Sequence, residues 1–415
     1  MTAPPQPAMH HAKMSTPNTP STATAASPAS GFCPLRLQRL QDALQAEVER
    51  QRLPGAVACI ARHGQTALFE SLGQQNPATA TPMSRDAIFR IYSMTKPIVS
   101  VAAMMLAEQG RLLLSDPVSR YLPEFAAQQV CHRVEGHVKL QPVRRGATVQ
   151  DLLRHTAGLT YEFLGSTPVQ RQYAQERIGS RERSNAELST KLASLPLMFE
   201  PGTTWEYSRA TDVLGRILEV ISGEPLGQFL QRQLFEPLGM HETWFNVPAA
   251  QRHRVAEPFA RDPDGGMQMR VYNVDDSSKL ESGGGGLLCT TADYARFLQF
   301  MLNRGELDGQ RLLGAHTVAY MTADHLGQIP VNAGASRDLL PMGYGFGLGF
   351  AVRQSLGVAP APGSVGTYYW GGLGGTTFFV DPAQDLFAIL MLQAPNQREH
   401  YRMLFANLVY AALLD

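Results

Sequence analysis

Several things are scarce in this sequence, and each shortage removes a class of function. Only four of its 415 residues are cysteine (Cys33, Cys59, Cys131 and Cys289). None lies in a C-x-x-C pair or at metal-ligand spacing from histidine, so free thiols in a reducing compartment are expected and a disulfide framework is not. No apolar run approaches the ~18 residues of a membrane span. Lysine plus arginine number 36 and aspartate plus glutamate also 36, without a basic cluster, which argues against nucleic acid as a partner. H-E-x-x-H and the Walker G-x-x-x-x-G-K are both missing. His10-His11 is an isolated pair in a polar stretch, so neither metal nor cofactor is expected.

The serine-hydrolase elbow G-x-S-x-G is missing as well. Pro362-Gly363-Ser364-Val365-Gly366 comes nearest and lacks the first glycine. Lysine itself is rare: Lys13, Lys96, Lys139, Lys191 and Lys279 are all there are.

What is present describes a folded protein. Hydrophobic residues make up 44% and charged residues 17%, enough to bury one large core or two medium ones. Residues 1–32 are rich in Ala, Thr, Pro and Ser, with Met14 as a second candidate start. They lack the apolar core of a secretory signal, so a disordered tail and a cytoplasmic location are expected.

From Leu35 the pattern turns helical, with Leu37, Leu40, Leu44 and Val48 on one face, until Pro54-Gly55 ends it. Residues 56–62 and 66–72 read as strands around a His63-Gly64-Gln65 turn. The stretch from Ser93 to about Leu238 reads as mainly helical. Strands are expected again at 344–352, 366–370, 376–380 and 386–393, with a closing helix over 397–414. Strands at both ends around a helical middle predict an antiparallel sheet assembled from distant segments.

The chemistry begins at Ser93-Met94-Thr95-Lys96, an S-x-x-K tetrad running into the apolar stretch 98–107. On a helix, residues three apart share a face, so the Lys96 amine reaches the Ser93 hydroxyl. A serine becomes a nucleophile when a neighbouring base takes its proton, and a desolvated lysine is one such base. The plain alternatives are an N-cap serine and a solvated lysine. Flanks as apolar as 88–92 and 98–107 speak against a merely solvated lysine. His155, where a helix runs into a glycine turn, suits a loop-fixing role better than catalysis.

Further blocks follow in order. Residues 89–97 (FRIYSMTKP) resemble the active-site helix start of the serine β-lactamase and penicillin-binding superfamily. Residues 151–159 (DLLRHTAGL) resemble its "LLxHTSGL" segment, and 201–208 (PGTTWEYS) the "PGxxxxYS" block that carries a catalytic tyrosine. Residues 282–290 (SGGGGLLCT) and 345–349 (GFGLG) also match. Trp370-Gly371-Gly372 resembles the "WGG" that replaces K-T-G in the family VIII carboxylesterases. The resemblance runs from about residue 36 to the C-terminus.

It implies an α+β fold: an antiparallel sheet flanked by helices and built from both chain ends (33–92 and 281–415), plus an all-helical domain (93–280). It also implies roles. Ser93 would be the nucleophile, Lys96 and Tyr207 would share proton transfer, and the N–H groups of Ser93 and Leu373 would hold the oxyanion. Which of Lys96 and Tyr207 is the base stays open, a Lys96 cation being one way to make Tyr207 a phenolate. Trp370, Gly371, Gly372 and Tyr369 would bind substrate. On residues alone, aromatic packing is the expected role of both Tyr207 and Trp370.

Two departures from the lactamase pattern matter. Tyr207-Ser208-Arg209 stands where Y-x-N is usual, and K-T-G, the cation for a substrate carboxylate, is absent. Arg209 restores a charge only if it points into the cleft, and a surface salt bridge is its expected use. A serine carboxylesterase acting on small neutral esters of short to medium acyl chains is therefore expected, with weak lactamase activity at most. The alternatives are a β-lactamase or D-alanyl peptidase, an acyltransferase, or a non-catalytic penicillin-binding-like protein.

Overall fold

The computed structural model describes residues 30–134 and 137–414. The expected tail lies outside the described residues except at its end. There Phe32 is fully buried and bridges Leu413, so the ordered chain starts earlier than residue 33.

Helix α1 (Pro34–Glu49) buries Leu37, Leu40 and Leu44 on one stripe, the spacing of an amphipathic helix. Strands β1 (Gly55–Arg62), β2 (Gln65–Asn76) and β3 (Thr81–Pro82) follow, then β4 (Ile88–Arg90) and α2 (Thr95–Glu108). A ribbon of β5 (Gln129–Val134) and β6 (His137–Pro142) leads to the helices α3 (Val149–Leu153), α4 (Pro168–Gln175), α5 (Asn185–Ala193), α6 (Ala210–Ser222), α7 (Leu226–Leu230) and α8 (Glu236–Leu238). Strands β7 (Thr243–Trp244) and β8 (Leu288–Thr290) form a small separate sheet with β4, in which β8 lies between the other two.

Helix α9 (Thr291–Leu302), the ribbon β9 (Glu306–Leu307) and β10 (Gln310–Arg311), and helices α10 (Ala315–Met321) and α11 (Ala335–Leu339) come next. The chain closes with β11 (Tyr344–Phe346), β12 (Ala351–Arg353), β13 (Tyr368–Gly371), β14 (Thr377–Asp381), β15 (Leu386–Leu392) and α12 (Arg398–Ala412).

The main sheet has the order β11-β12-β13-β14-β15-β1-β2-β3. The two chain ends meet where β1 pairs antiparallel with β15, Cys59 opposite Ile389. Both strands are buried almost throughout, because helices cover both faces. Phe379 of β14 packs on Phe405 of α12, while the adjacent Phe378 packs on Tyr294 of α9. Neighbouring strand residues point to opposite faces, so α9 and α12 lie on opposite sides. On the helical side α6 packs on α2, α3, α5 and α7.

Two expectations change. The strand expected over 344–352 is a hairpin, β11 and β12, closed by Gly347 N–H on the Phe350 carbonyl at 2.7 Å. Gly349 reverses the chain at φ +97°, and a Cβ there would lie 2.4 Å from Ser100 Oγ, so only glycine suits. The ribbon β5–β6 interrupts a stretch expected to be mainly helical, and β6 is exposed along its length. Among the described residues no helix is long and apolar enough to cross a membrane.

Candidate active site

Ser93 sits in a single 3-10 turn, Tyr92–Met94, at the mouth of α2. Just before it Tyr92 holds a φ of 43°, a left-handed value that a bulky residue keeps only where its surroundings impose it. The Tyr92 ring meets Tyr272 edge-on at 5.5 Å. The N-cap of α2 is Met94, with no side-chain cap. The Ser93 hydroxyl is therefore not held as a helix cap, and it lies half-buried beside Lys96 Nζ at 3.3 Å.

Lys96 is fully buried. Besides Ser93, its Nζ donates to the Gly284 carbonyl at 2.6 Å and to the Tyr161 hydroxyl at 3.0 Å. Burial penalises the ammonium and pushes its pKa down to about 7, with Asp212 pulling the other way and Arg209 adding to the depression. A lysine so placed is an amine for much of the time at neutral pH.

Tyr207 lies across the same space. Lys96 Nζ sits over its ring, 4.4 Å from the centroid, and not at its hydroxyl. The hydroxyl accepts from Trp370 Nε1 at 3.3 Å. Burial raises the Tyr207 pKa above the ordinary phenol value, with the Ser93 hydroxyl and the Trp370 indole opposing it. Tyr207 is thus a neutral phenol here. The phenolate route would need the lysine cation against the oxygen, not over the ring face.

His155 packs behind Tyr207, ring centroids 5.0 Å apart, with Nδ1 3.1 Å from Ser208 Oγ. Burial and then the Lys96 charge push its pKa well below the usual imidazole value. It is a neutral wedge outside the cavity.

The opposite wall is the end of β13. Trp370, Gly371, Gly372 and Leu373 line the cavity with Ser93 and Tyr207. Gly372 and Gly375 donate to the Thr376 and Gly372 carbonyls at 2.7 and 3.0 Å, while among the described residues no protein group takes the Leu373 N–H. A Cβ on Gly372 would lie 2.4 Å from the Ile91 carbonyl. The chain leading to Ser93 itself makes that close approach. Tyr369, one residue before Trp370, points away: it meets Tyr344 at 5.0 Å and lies under Arg402. Strand alternation removes it from the expected binding set.

Arg209 is not a surface residue. Its side chain is 11% exposed and pairs with Glu162 at 2.5 Å and Asp212 at 3.5 Å, beneath the Tyr161 ring at 4.8 Å. It lines the cavity with its charge already matched. Sequence reasoning missed Tyr161, Asp212 and Gly284. Tyr161 does stand two residues after the HTAGL segment, and Asp212 is a carboxylate in the otherwise uncharged first turn of its helix. The cavity, about 700 Å³, is lined by Tyr92, Tyr161, Phe163, Tyr272 and Trp370, and Arg181, Arg398 and Arg402 also reach it. Arg402 pairs with Glu399, and Arg181 lies on the Tyr272 ring at 3.9 Å. Segments 160–200 and 305–340 both reach it, the first through Phe163 and the second through Leu339.

Comparison with known proteins agrees with this layout. The family model described as beta-lactamase matches residues 40–411. Esterase EstB of Burkholderia gladioli is 32% identical over 374 residues, 85% of this chain and 89% of that protein. The lovastatin esterase of Penicillium rubens is 29% identical, over 84% of this chain and 91% of its own. Among solved structures, EstCE1, described as a hydrolase with promiscuous acyltransferase activity, superposes with a TM-score of 0.76 at 28% identity, covering 90% of this chain and 98% of that one.

Proposed function

The chain belongs to the beta-lactamase family, and from that premise we propose that it is a serine carboxylesterase working through an acyl-enzyme on Ser93. The observation that carries the reading is the buried Lys96 amine, held at about neutral pKa within hydrogen-bond reach of Ser93.

As a neutral amine, Lys96 donates its two N–H groups to Gly284 and Tyr161 and keeps its lone pair for the Ser93 proton. Ser93 Oγ then attacks the ester carbonyl, and the oxyanion that forms is held by the N–H groups of Ser93 and Leu373. Tyr207, a neutral phenol oriented by Trp370, gives its proton to the departing alkoxide. The tyrosine recovers a proton from the Lys96 ammonium through solvent, which leaves Lys96 an amine again. A water then enters, Lys96 takes its proton as the oxygen adds to the acyl carbonyl, and that proton passes to Ser93 Oγ as the acid departs.

Substrate class follows from the walls. Trp370 stands where K-T-G would supply a cation, and Arg209 and Arg402 are matched by Glu162, Asp212 and Glu399. Tyr92, Tyr161, Phe163, Tyr272 and Trp370 give the cavity a large aromatic share beside Arg181 and Arg398. Those features favour neutral esters with apolar groups of short to medium length over lactams bearing a carboxylate. The names of EstB and the lovastatin esterase agree with ester hydrolysis.

A second reading is acyl transfer to an alcohol. A cavity of about 700 Å³ has room for an acceptor beside a short acyl group, and EstCE1 is described with that side activity. A panel of p-nitrophenyl esters of increasing acyl length, with nitrocefin included and acceptor alcohols added, tests all three. Higher kcat/KM on nitrocefin than on every ester would overturn the esterase assignment. Ester product exceeding free acid would favour transfer.

A further inference from the structure

Asp212 lies five residues beyond Tyr207, in the first turn of α6, and is 4% exposed. It does not line the cavity; it stands behind the wall. Its Oδ1 accepts from Ser282 Oγ at 2.5 Å and from the Gly284 N–H at 3.0 Å. The same Gly284 peptide presents its carbonyl to Lys96 Nζ at 2.6 Å. One peptide group is thus gripped at both ends, by a carboxylate on its N–H and by the lysine on its C=O.

The turn that carries this peptide is tight. Gly285 and Gly286 both donate to the Ser282 carbonyl, at 3.1 and 2.8 Å. A Cβ on Gly284 would fall 2.9 Å from Asp212 Oδ2 and 3.0 Å from the Tyr161 hydroxyl, so carboxylate, tyrosine and turn close on one small space. A carboxylate on the N–H side polarises the peptide and strengthens its carbonyl as an acceptor. In a buried site its negative charge also acts on Lys96 with little screening.

We propose that Asp212 is a positioning residue for Lys96, acting through the Gly284 peptide and through its own buried charge. The proposal rests on the assignment of Lys96 as the base. The groups that face Lys96 are Ser93 and the aromatic hydroxyls or rings of Tyr161 and Tyr207, with His155 behind them; the charged ones are Asp212 and Arg209. Asp212 favours the ammonium and Arg209 disfavours it. Removing only the Asp212 charge therefore leaves a weaker base, with Arg209 opposed by Glu162 alone.

Asp212→Asn keeps an oxygen for Ser282 and Gly284 and deletes the charge. The acid limb of its kcat/KM profile is expected to move to lower pH by about half a unit or more. Its kcat near pH 8.5 is expected to fall about threefold or more at similar KM, since a less basic amine takes the proton less readily. A D212N profile whose acid limb superimposes on wild type, after active-site titration, overturns the proposal even if overall activity drops. If D212N does not fold, Ser282→Ala carries the test: kcat reduced several-fold at unchanged melting temperature supports the strut, and wild-type kcat overturns it. Near-wild-type turnover by Lys96→Ala would instead overturn the base assignment itself, and the two failures are told apart by which variant keeps its rate.

Discussion

The two walls that face each other across Ser93 are built on different principles. The wall from residues 93–212 and the 282–286 turn is polar and side-chain made: Lys96, Tyr161, Tyr207, Asp212 and Arg209 are all buried there, each with named partners. The β13 wall offers backbone and one indole, Trp370-Gly371-Gly372-Leu373, with no ionisable side chain. One wall is suited to moving protons and the other to holding an oxyanion and an apolar group. Proton chemistry needs groups whose pKa burial can tune, whereas shape and N–H geometry need a rigid strand end.

Breaking the polar wall is expected to cost most. Lys96→Ala and Tyr207→Phe should each lower kcat by about two orders or more, as loss of a general base or acid does. Steady-state rates on a p-nitrophenyl ester measure this, and near-wild-type activity in either variant would refute its assigned role. Breaking the strand wall comes next. Gly372→Ala drives a methyl against the Ile91 carbonyl at 2.4 Å, and because backbone cannot step aside cheaply, kcat/KM should fall some tens of fold, on the order of one lost oxyanion donor or less. A G372A enzyme with unchanged kinetics would show that the β13 edge does not set the position of Ser93.

The pH dependence sharpens the contrast without mutation. Lys96 must be unprotonated to act and titrates at about 7. Activity should therefore fall about tenfold per unit below that point. The unfolded chain carries a lysine that keeps its proton to a much higher pH, so above about 7 it binds one proton more than the folded state. Stability attributable to Lys96 then rises with pH up to the ordinary lysine range. The urea midpoint of wild type should therefore rise relative to that of Lys96→Met as pH increases across that window, and a relative fall would contradict the sign. The smallest effect is expected at a link between the walls, the Trp370 Nε1 hydrogen bond to Tyr207. Trp370→Phe should cost kcat about fivefold, the usual worth of a single neutral hydrogen bond.

The two walls also differed in how far they were legible in the sequence. Ser93 and Lys96 are three residues apart, and local turn geometry alone brings them to 3.3 Å. The sheet strands were equally readable, since 386–393 is a buried β-branched and aliphatic run and His63-Gly64 marks a hairpin. Tyr207 and Trp370 carried no local signal and came from resemblance to a family pattern. Tyr161 and Gly284 reach Lys96 from 65 and 188 residues away, and no periodicity encodes such a meeting. Arg209 was misplaced on the surface because its partners, Glu162 and Asp212, become neighbours only after folding. The 344–352 segment read as one strand because a glycine's φ, here +97° at Gly349, leaves no mark on an apolar pattern.

The central claim is that Ser93 carries the acyl group. Intact-mass measurement after exposure to a p-nitrophenyl phosphonate ester tests it directly. The account predicts one stoichiometric adduct, mapped to the peptide containing Ser93 and lost in Ser93→Ala. Folded wild-type protein that turns over esters yet stays unmodified, or is labelled on another serine, would contradict it.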